Sequence, residues 1–282
     1  MRILTSEKIK DFHAYLLQEE KSKATTEKYL RDINTFMQWK TQNCITAIDK
    51  VTVLSYKDYL CEHYAVSSVN SMLSSLNSFF DFCEWYELKV KTLKLQRKIF
   101  SSKEKELTRA EYSRLLRVAK DKNNQRLYML LQTICSTGIR VSELRFITVQ
   151  SLCRGYAEIS CKGKRRTVFL PDELCKMLKV YAQSQNIKSG SVFVTRNGNP
   201  LDRSNIWSDM KKLCREANVS EKKVFPHNLR HLFARTYYSI QKDIVRLADL
   251  LGHSSVNTTR IYTMESGDVH RRQIQKLGLL RC

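Results

Sequence analysis

His227-Asn228-Leu229-Arg230-His231 carries three ionisable side chains within five residues. At about 100° per residue, positions 227, 230 and 231 share one face of a helix. Two further segments hold groups of complementary chemistry. In Ser136-Thr-Gly138-Ile-Arg140-Val-Ser-Glu143-Leu144, a glycine ends one helix and an arginine opens the next. An arginine at a helix start, beside free backbone N–H groups, suits an anionic oxygen. Leu251-Gly-His253-Ser-Ser-Val-Asn-Thr-Thr-Arg-Ile-Tyr262 sets a histidine and a tyrosine on either side of a Ser/Thr-rich turn. Singly, each has a plainer reading. Arg140 and Glu143 are spaced like a surface salt bridge, and a lone histidine or tyrosine is usually structural. Together they point to phosphoryl transfer.

A metal centre is the competing chemistry, because His227 and His231 are spaced i,i+4 like the ligands of H-E-x-x-H. Position 228 is Asn, so the general base of that motif is missing, and no third ligand stands nearby. Nine cysteines contain no C-x-x-C pair. That is neither a disulfide framework nor a zinc pattern, and it predicts reduced cysteines serving mainly as small core residues.

Between the first two motifs, YAEISC (156–161) and TVFL (167–170) alternate like strands around the turn Lys162-Gly-Lys164-Arg165-Arg166. Four cations at a hairpin tip are more than a surface loop requires, and the tip is expected to enter a nucleic-acid groove. Lys23 and Lys28, at the start of a helix over about 25–41, are further candidates for phosphate contact, although a solvated helix end explains them equally.

The elements behind these motifs are mostly helical: the 282 residues include only 3 Pro and 8 Gly. Residues 5–19, 25–41, 49–62 and 66–87 read as a small four-helix bundle, with Tyr29, Ile33, Phe36 and Met37 forming one stripe. Helices are expected at 108–120, 124–136, 140–147, 172–185, 203–217, 226–239 and 243–251. Thr108 and Glu111 form a capping-box pattern. The net charge of +21 is divided very unevenly: about +1 over residues 1–96, +2 over 97–106 and +18 over 107–282. The predicted organisation is a first domain at 1–96, a polar linker at 97–106 and a second domain at 107–282. The basic second half calls for a polyanionic partner.

TGIRVSEL, HNLRH and LGHSSVNTTRIYT, in that order, resemble the box motifs of the tyrosine recombinase (phage integrase) family. Arg230 and His253 are 23 residues apart, and His253 and Tyr262 are 9 apart, which fits that family. The resemblance is close over about 106–265 and looser over the bundle, which is similar to the family's SAM-like core-binding domain. It implies a mainly α fold with a small β-hairpin, and a catalytic set of Arg140, Lys162, His227, Arg230, His253 and Tyr262. Tyr262 would attack a DNA phosphorus to give a 3′-phosphotyrosyl link, which stores the phosphodiester energy without ATP. Arg140 and Arg230 would clamp the non-bridging oxygens, and His253 would donate a further hydrogen bond. Lys162 would protonate the leaving 5′-oxygen, although a small register error would exchange it with Lys164. His227 would assist proton transfer, and Glu143 would orient Arg140 or a neighbour. Lys164, Arg165, Arg166, Lys23 and Lys28 would contact DNA.

With cations in place of a metal, the resemblance implies no cofactor. The implied partners are double-stranded DNA with inverted-repeat core sites and further copies of the chain, forming a tetramer that passes through a Holliday junction. The tail from Glu265 would dock on a neighbouring protomer or on its own domain. A non-cleaving accessory DNA-binding protein of the same fold is the alternative, and a type IB topoisomerase shares the chemistry. No apolar run is long enough to span a membrane, and the start lacks the apolar stretch of a signal peptide, so a cytoplasmic location is expected.

Overall fold

Short polar residues start most of the helices. Thr5, Ser22 and Asp49 each accept a backbone N–H at the start of α1 (Ser6–Gln18), α2 (Lys23–Gln42) and α3 (Lys50–His63). A fourth helix, α4, spans Val66–Phe82. The computed structural model describes residues 2–94, 106–161, 164–195, 197–262, 271 and 274–277, with the backbone alone for Cys161 and Lys164. The chain divides into two compact units, Met1–Arg97 and Lys98–Cys282. The expected linker falls largely outside the described residues.

In the first unit, helices α1–α4 close round Phe12, Leu16, Ile33, Phe36, Leu73 and Phe79, all fully buried. Ile33 and Phe36 form the centre of the α2 stripe, and Tyr29 and Met37 pack at its margin. The fourth helix is shorter than the sequence pattern predicts. Glu84 adopts φ +58°, and Trp85 N–H donates back to the Phe80 carbonyl at 2.8 Å. The chain therefore turns, and Trp85 folds onto the core. A 3₁₀ turn follows at Tyr86–Leu88.

The second unit is built round α6 (Gln125–Thr137), which packs against α5 (Arg109–Asp121), α8 (Asp172–Ser184), α9 (Arg203–Cys214) and α10 (Pro226–Gln241). The Thr108–Glu111 capping box closes in both directions. Between α6 and α8 lie a 3₁₀ helix at Val141–Phe146, α7 (Val149–Arg154) and a two-stranded antiparallel hairpin, β1 (Tyr156–Cys161) and β2 (Lys164–Phe169). The chain continues through α11 (Ile244–Leu251) and α12 (Val256–Thr259) to a 3₁₀ turn at Arg260–Tyr262. The fold is mostly helical, with one small two-stranded sheet among the described residues.

Further details depart from the sequence reading, among them the helix expected at 140–147, which is 3₁₀ over Val141–Phe146. The second strand begins at Lys164 rather than 167, so Arg166 pairs with Ile159 in the ladder instead of sitting in the turn. Of the seven described cysteines, only Cys175 and Cys214 are buried; Cys44, Cys61 and Cys153 are exposed, and all seven are free thiols. No helix of the described residues is long and apolar enough to cross a membrane.

Candidate active site

The last carbonyls of α11 organise the site. A helix end leaves carbonyls without intrahelical partners, and the helix dipole makes that end attractive to cations. Here backbone N–H groups of Gly252 and His253 take Asp249 O and Ala248 O. Three arginines from three other elements take the next carbonyls in turn. Arg166 Nη1 donates to Leu250 O at 2.7 Å, Arg230 Nη2 to Leu251 O at 2.7 Å, and Arg140 Nη2 to Gly252 O at 3.3 Å. Gly252 turns the chain away at φ +62°, a left-handed conformation that suits glycine.

Arg140 precedes the 3₁₀ helix. Its backbone N–H and its Nη1 both donate to Glu143, at 2.8 and 2.9 Å. Glu143 is buried and also accepts from Arg166 Nη2 at 2.6 Å. Burial alone raises this carboxyl's pKa, but the hydrogen bonds from Arg166 and Arg140 outweigh it and hold the group below the usual carboxylate range. The Arg140 side chain remains 40% exposed.

Arg230, on the second turn of α10, is 2% exposed. Its Nη1 donates to Gly138 O at 2.6 Å, where α6 ends in a left-handed glycine. Burial, and then the charge of Arg140, lower its pKa to about 10, so it stays charged near neutrality; a hydrogen bond with the Tyr262 hydroxyl works the other way. Three guanidinium groups thus gather at the end of α11 with one carboxylate, which is bound by Arg140 and Arg166, and this leaves a net positive pocket suited to a phosphate.

Tyr262 is 3% exposed and packs with Ala234, Leu247 and Leu251. Its ring stacks on His253 at 5.9 Å between centroids and meets the His231 ring edge-on at 4.4 Å. His231 in turn lies 4.6 Å from His227. His253 spans Arg230 and Thr259, with Nε2 at 3.0 Å from Arg230 Nη2 and Nδ1 at 2.8 Å from Thr259 Oγ1. Burial first, and then the guanidinium charges, lower the His253 pKa to about 4. His231 also falls to about 4, through burial and then His227. His227 stands exposed on the first turn of α10, yet the protein crowds its inner side. That desolvation, and then Arg230, Arg140 and Arg203, hold it below the imidazole range. No group of three or more His, Cys, Asp or Glu able to hold a metal ion occurs among the described residues.

A family model described as "Phage integrase family" matches residues 105–267, and one described as "Phage integrase, N-terminal SAM-like domain" matches 9–87. Tyrosine recombinase XerA of Pyrococcus furiosus is 31% identical over 287 residues, covering 99% of this chain and 96% of its own. This chain belongs to the phage integrase family. It is a tyrosine-type site-specific recombinase. Tyrosine recombinase XerD of Staphylococcus saprophyticus is also 31% identical to it, with 93% of each chain covered. The lambda integrase(75-356) dimer bound to a COC′ core site shares the recombinase's fold, with a TM-score of 0.73 at 16% identity, over 93% of this chain and 96% of that one. So does XerH bound to difH substrate in a pre-cleavage complex, with a TM-score of 0.71 at 19% identity, over 93% and 82%.

The structure of the recombinase brings Arg140, Glu143, His227, Arg230, His253 and Tyr262 together in one unit. Lys162 lies outside the described residues, as does the side chain of Lys164. Arg165 is exposed on β2. Arg166, expected on a DNA-facing tip, is instead 13% exposed and joins the cluster from below. Lys28 is likewise engaged internally: its Nζ donates to Asp32 Oδ2 at 2.5 Å, Ser75 Oγ at 2.9 Å and Ser71 O at 3.1 Å. Lys23 is exposed at the start of α2. The tail from Glu265, expected to dock on a neighbouring protomer or on its own domain, falls mostly outside the described residues. His231 and Thr259 were not assigned from the sequence. His231 shares the helical face of His227 and Arg230, a signal the sequence did contain.

Proposed function

We propose that the recombinase cuts and rejoins double-stranded DNA with Tyr262 as its nucleophile. The observation that carries this reading is the seat of Tyr262, buried against Arg230, His253 and His231 of its own chain. The Tyr262 Oη–phosphorus bond forms, the bond from phosphorus to the 5′-oxygen breaks, and a 3′-phosphotyrosyl link remains. Arg140 and Arg230 offset the charge that builds on the non-bridging oxygens. His253 adds a hydrogen bond there, and His227 assists proton movement. Lys162, or Lys164 beside it, protonates the leaving 5′-oxygen. Attack by that 5′-hydroxyl on the phosphotyrosyl phosphorus of a partner strand forms the new phosphodiester, breaks the bond to the tyrosine oxygen and returns a proton to it.

The first unit and the basic hairpin hold the duplex, with Lys23 and Arg165 on its phosphates. Four copies act on two inverted-repeat core sites through a Holliday junction, with the tail from Glu265 passing between protomers. The work takes place in the cytoplasm, and the mechanism calls on no metal or other cofactor. Relatives bound to core-site DNA support the duplex as substrate.

A nicked core site, which loses its short 5′ fragment on cleavage, traps the covalent complex. Wild type is expected to yield a denaturant-stable protein–DNA adduct, and Tyr262→Phe to bind the site without forming one. An undiminished adduct in Tyr262→Phe would refute the assignment. DNA binding with no adduct from wild type would favour a non-cleaving accessory role.

A further inference from the structure

The mechanism above leaves Arg166 without a task, although its side chain is held as firmly as any in the site. Strand alternation places Arg166 on the inward face of β2, in step with buried Val168 and, beyond the strand, Leu170. Its Nη1 is committed to Leu250 O and its Nη2 to Glu143 Oε2. Its Nε is buried with no partner, against Gly252, where an added Cβ would fall 2.9 Å from that nitrogen and 2.3 Å from Cδ. Such a group cannot reach a DNA backbone without leaving the fold. It can set the charge that its neighbours present.

Glu143 is the shared partner. Its Oε1 accepts from Arg140 Nη1, and its Oε2 accepts from the Arg140 backbone N–H and from Arg166 Nη2. With Arg166 in place, the carboxylate is divided between two guanidinium groups, and Arg140 keeps much of its surface open. Without Arg166, Arg140 is the only charged partner left to the buried carboxylate among the described residues, and the two draw into a closed pair, because a buried carboxylate takes the nearest cation. The charge available to a phosphate then falls.

We propose that Arg166 is a positioning residue for strand cleavage: by sharing Glu143, it keeps the Arg140 guanidinium free to engage the scissile phosphate. This rests on the reading of the site as a DNA-cleaving centre. Arg166 touches no reacting atom in this scheme, and its effect is electrostatic, exerted through Glu143 on Arg140.

The test measures single-turnover cleavage of nicked sites that carry either a phosphodiester or an uncharged methylphosphonate at the scissile position. Wild type, Arg166→Met and Arg166→Lys are compared, and each is checked by thermal melting. Arg166→Met is expected to slow phosphodiester cleavage by roughly 10–100-fold, the range for partners that orient a first-contact ligand. The methylphosphonate needs less charge neutralisation, so its loss should be much smaller. Arg166→Lys keeps a cation beside Glu143 and is expected to recover part of the phosphodiester rate. It also carries the test if the Met variant does not fold. Affinity for the methylphosphonate site, which lacks the scissile charge, should stay at wild-type values in both variants, whereas Arg165→Met should reduce the salt slope of binding by about 1. Equal losses on the two substrates would overturn the proposal, as would weakened DNA binding at an unchanged cleavage rate. Wild-type rates in both variants, with wild type active, would sink this inference alone. No adduct from wild type would sink the cleavage reading and this inference with it.

Discussion

Arg230 Nη2 lies 3.0 Å from His253 Nε2, and because a guanidinium only donates, that nitrogen is the acceptor. The proton of His253 is therefore on Nδ1, directed to Thr259 Oγ1 at 2.8 Å. Before a phosphate arrives, His253 is a neutral ring that accepts from the clamp. To donate to a phosphate oxygen, Nε2 must part from Arg230 and take up a proton, and an anion in the pocket favours both changes.

Anion binding is therefore expected to raise the His253 pKa. An imidazole titration by NMR should place His253 near its lowered value of about 4 in the free protein and well above it with a nicked site bound. An unchanged value in the complex would mean that His253 does not face the phosphate.

Acid should weaken the second unit. Burial, and then His227, lower the pKa of folded His231 to about 4, from an ordinary imidazole value of about 6.5. Between those values the unfolded chain holds a proton that the folded chain does not, so stability falls as pH drops from 6.5 towards 4 and levels off below 4. The loss from this one ring is of the order of 1–3 kcal/mol. Urea unfolding across that window should show the decline in wild type and a shallower one in His231→Phe. Equal slopes would contradict it.

How much of this was legible depends on the kind of interaction. The helices of the bundle follow from stripes such as Ile33 and Phe36, because a 3.6-residue period is a local signal. Arg140, Arg230, His253 and Tyr262 stood out through motif spacing. Arg166 was misplaced because its charge suggested a turn, while the alternation through Val168 and Leu170 put it inside. Only the arrival of Glu143 and the end of α11, both distant in sequence, makes an inward arginine acceptable. The internal bonds of Lys28 were hidden for the same reason: Ser71 and Ser75, which help to hold it, lie more than 40 residues away.

Gly252→Ala is expected to damage both stability and cleavage. Its φ of +62° is strained for alanine, and the new Cβ would fall 2.3 Å from Arg166 Cδ. A loss of about 1–3 kcal/mol is expected from the backbone term alone. Thermal melting and adduct formation would each show the effect, and a fully active, wild-type-stable variant would contradict the packing described.

Lys23 and Lys28 should separate cleanly. Lys28→Ala removes the cation from Asp32 and Ser75 and is expected to lower the melting temperature of the first unit with little change in the salt dependence of DNA binding. Lys23→Ala should do the reverse, reducing the slope of log K against log salt by about 1. The opposite pattern would return Lys28 to the DNA surface.

The central claim is that the Tyr262 oxygen takes the DNA 3′-phosphate. Nuclease digestion of the trapped adduct, followed by peptide mass spectrometry, reads that bond directly. The account requires the nucleotide remnant on the peptide containing Tyr262, attached at that residue. A remnant on another tyrosine, or on a serine or histidine of the same site, would contradict it.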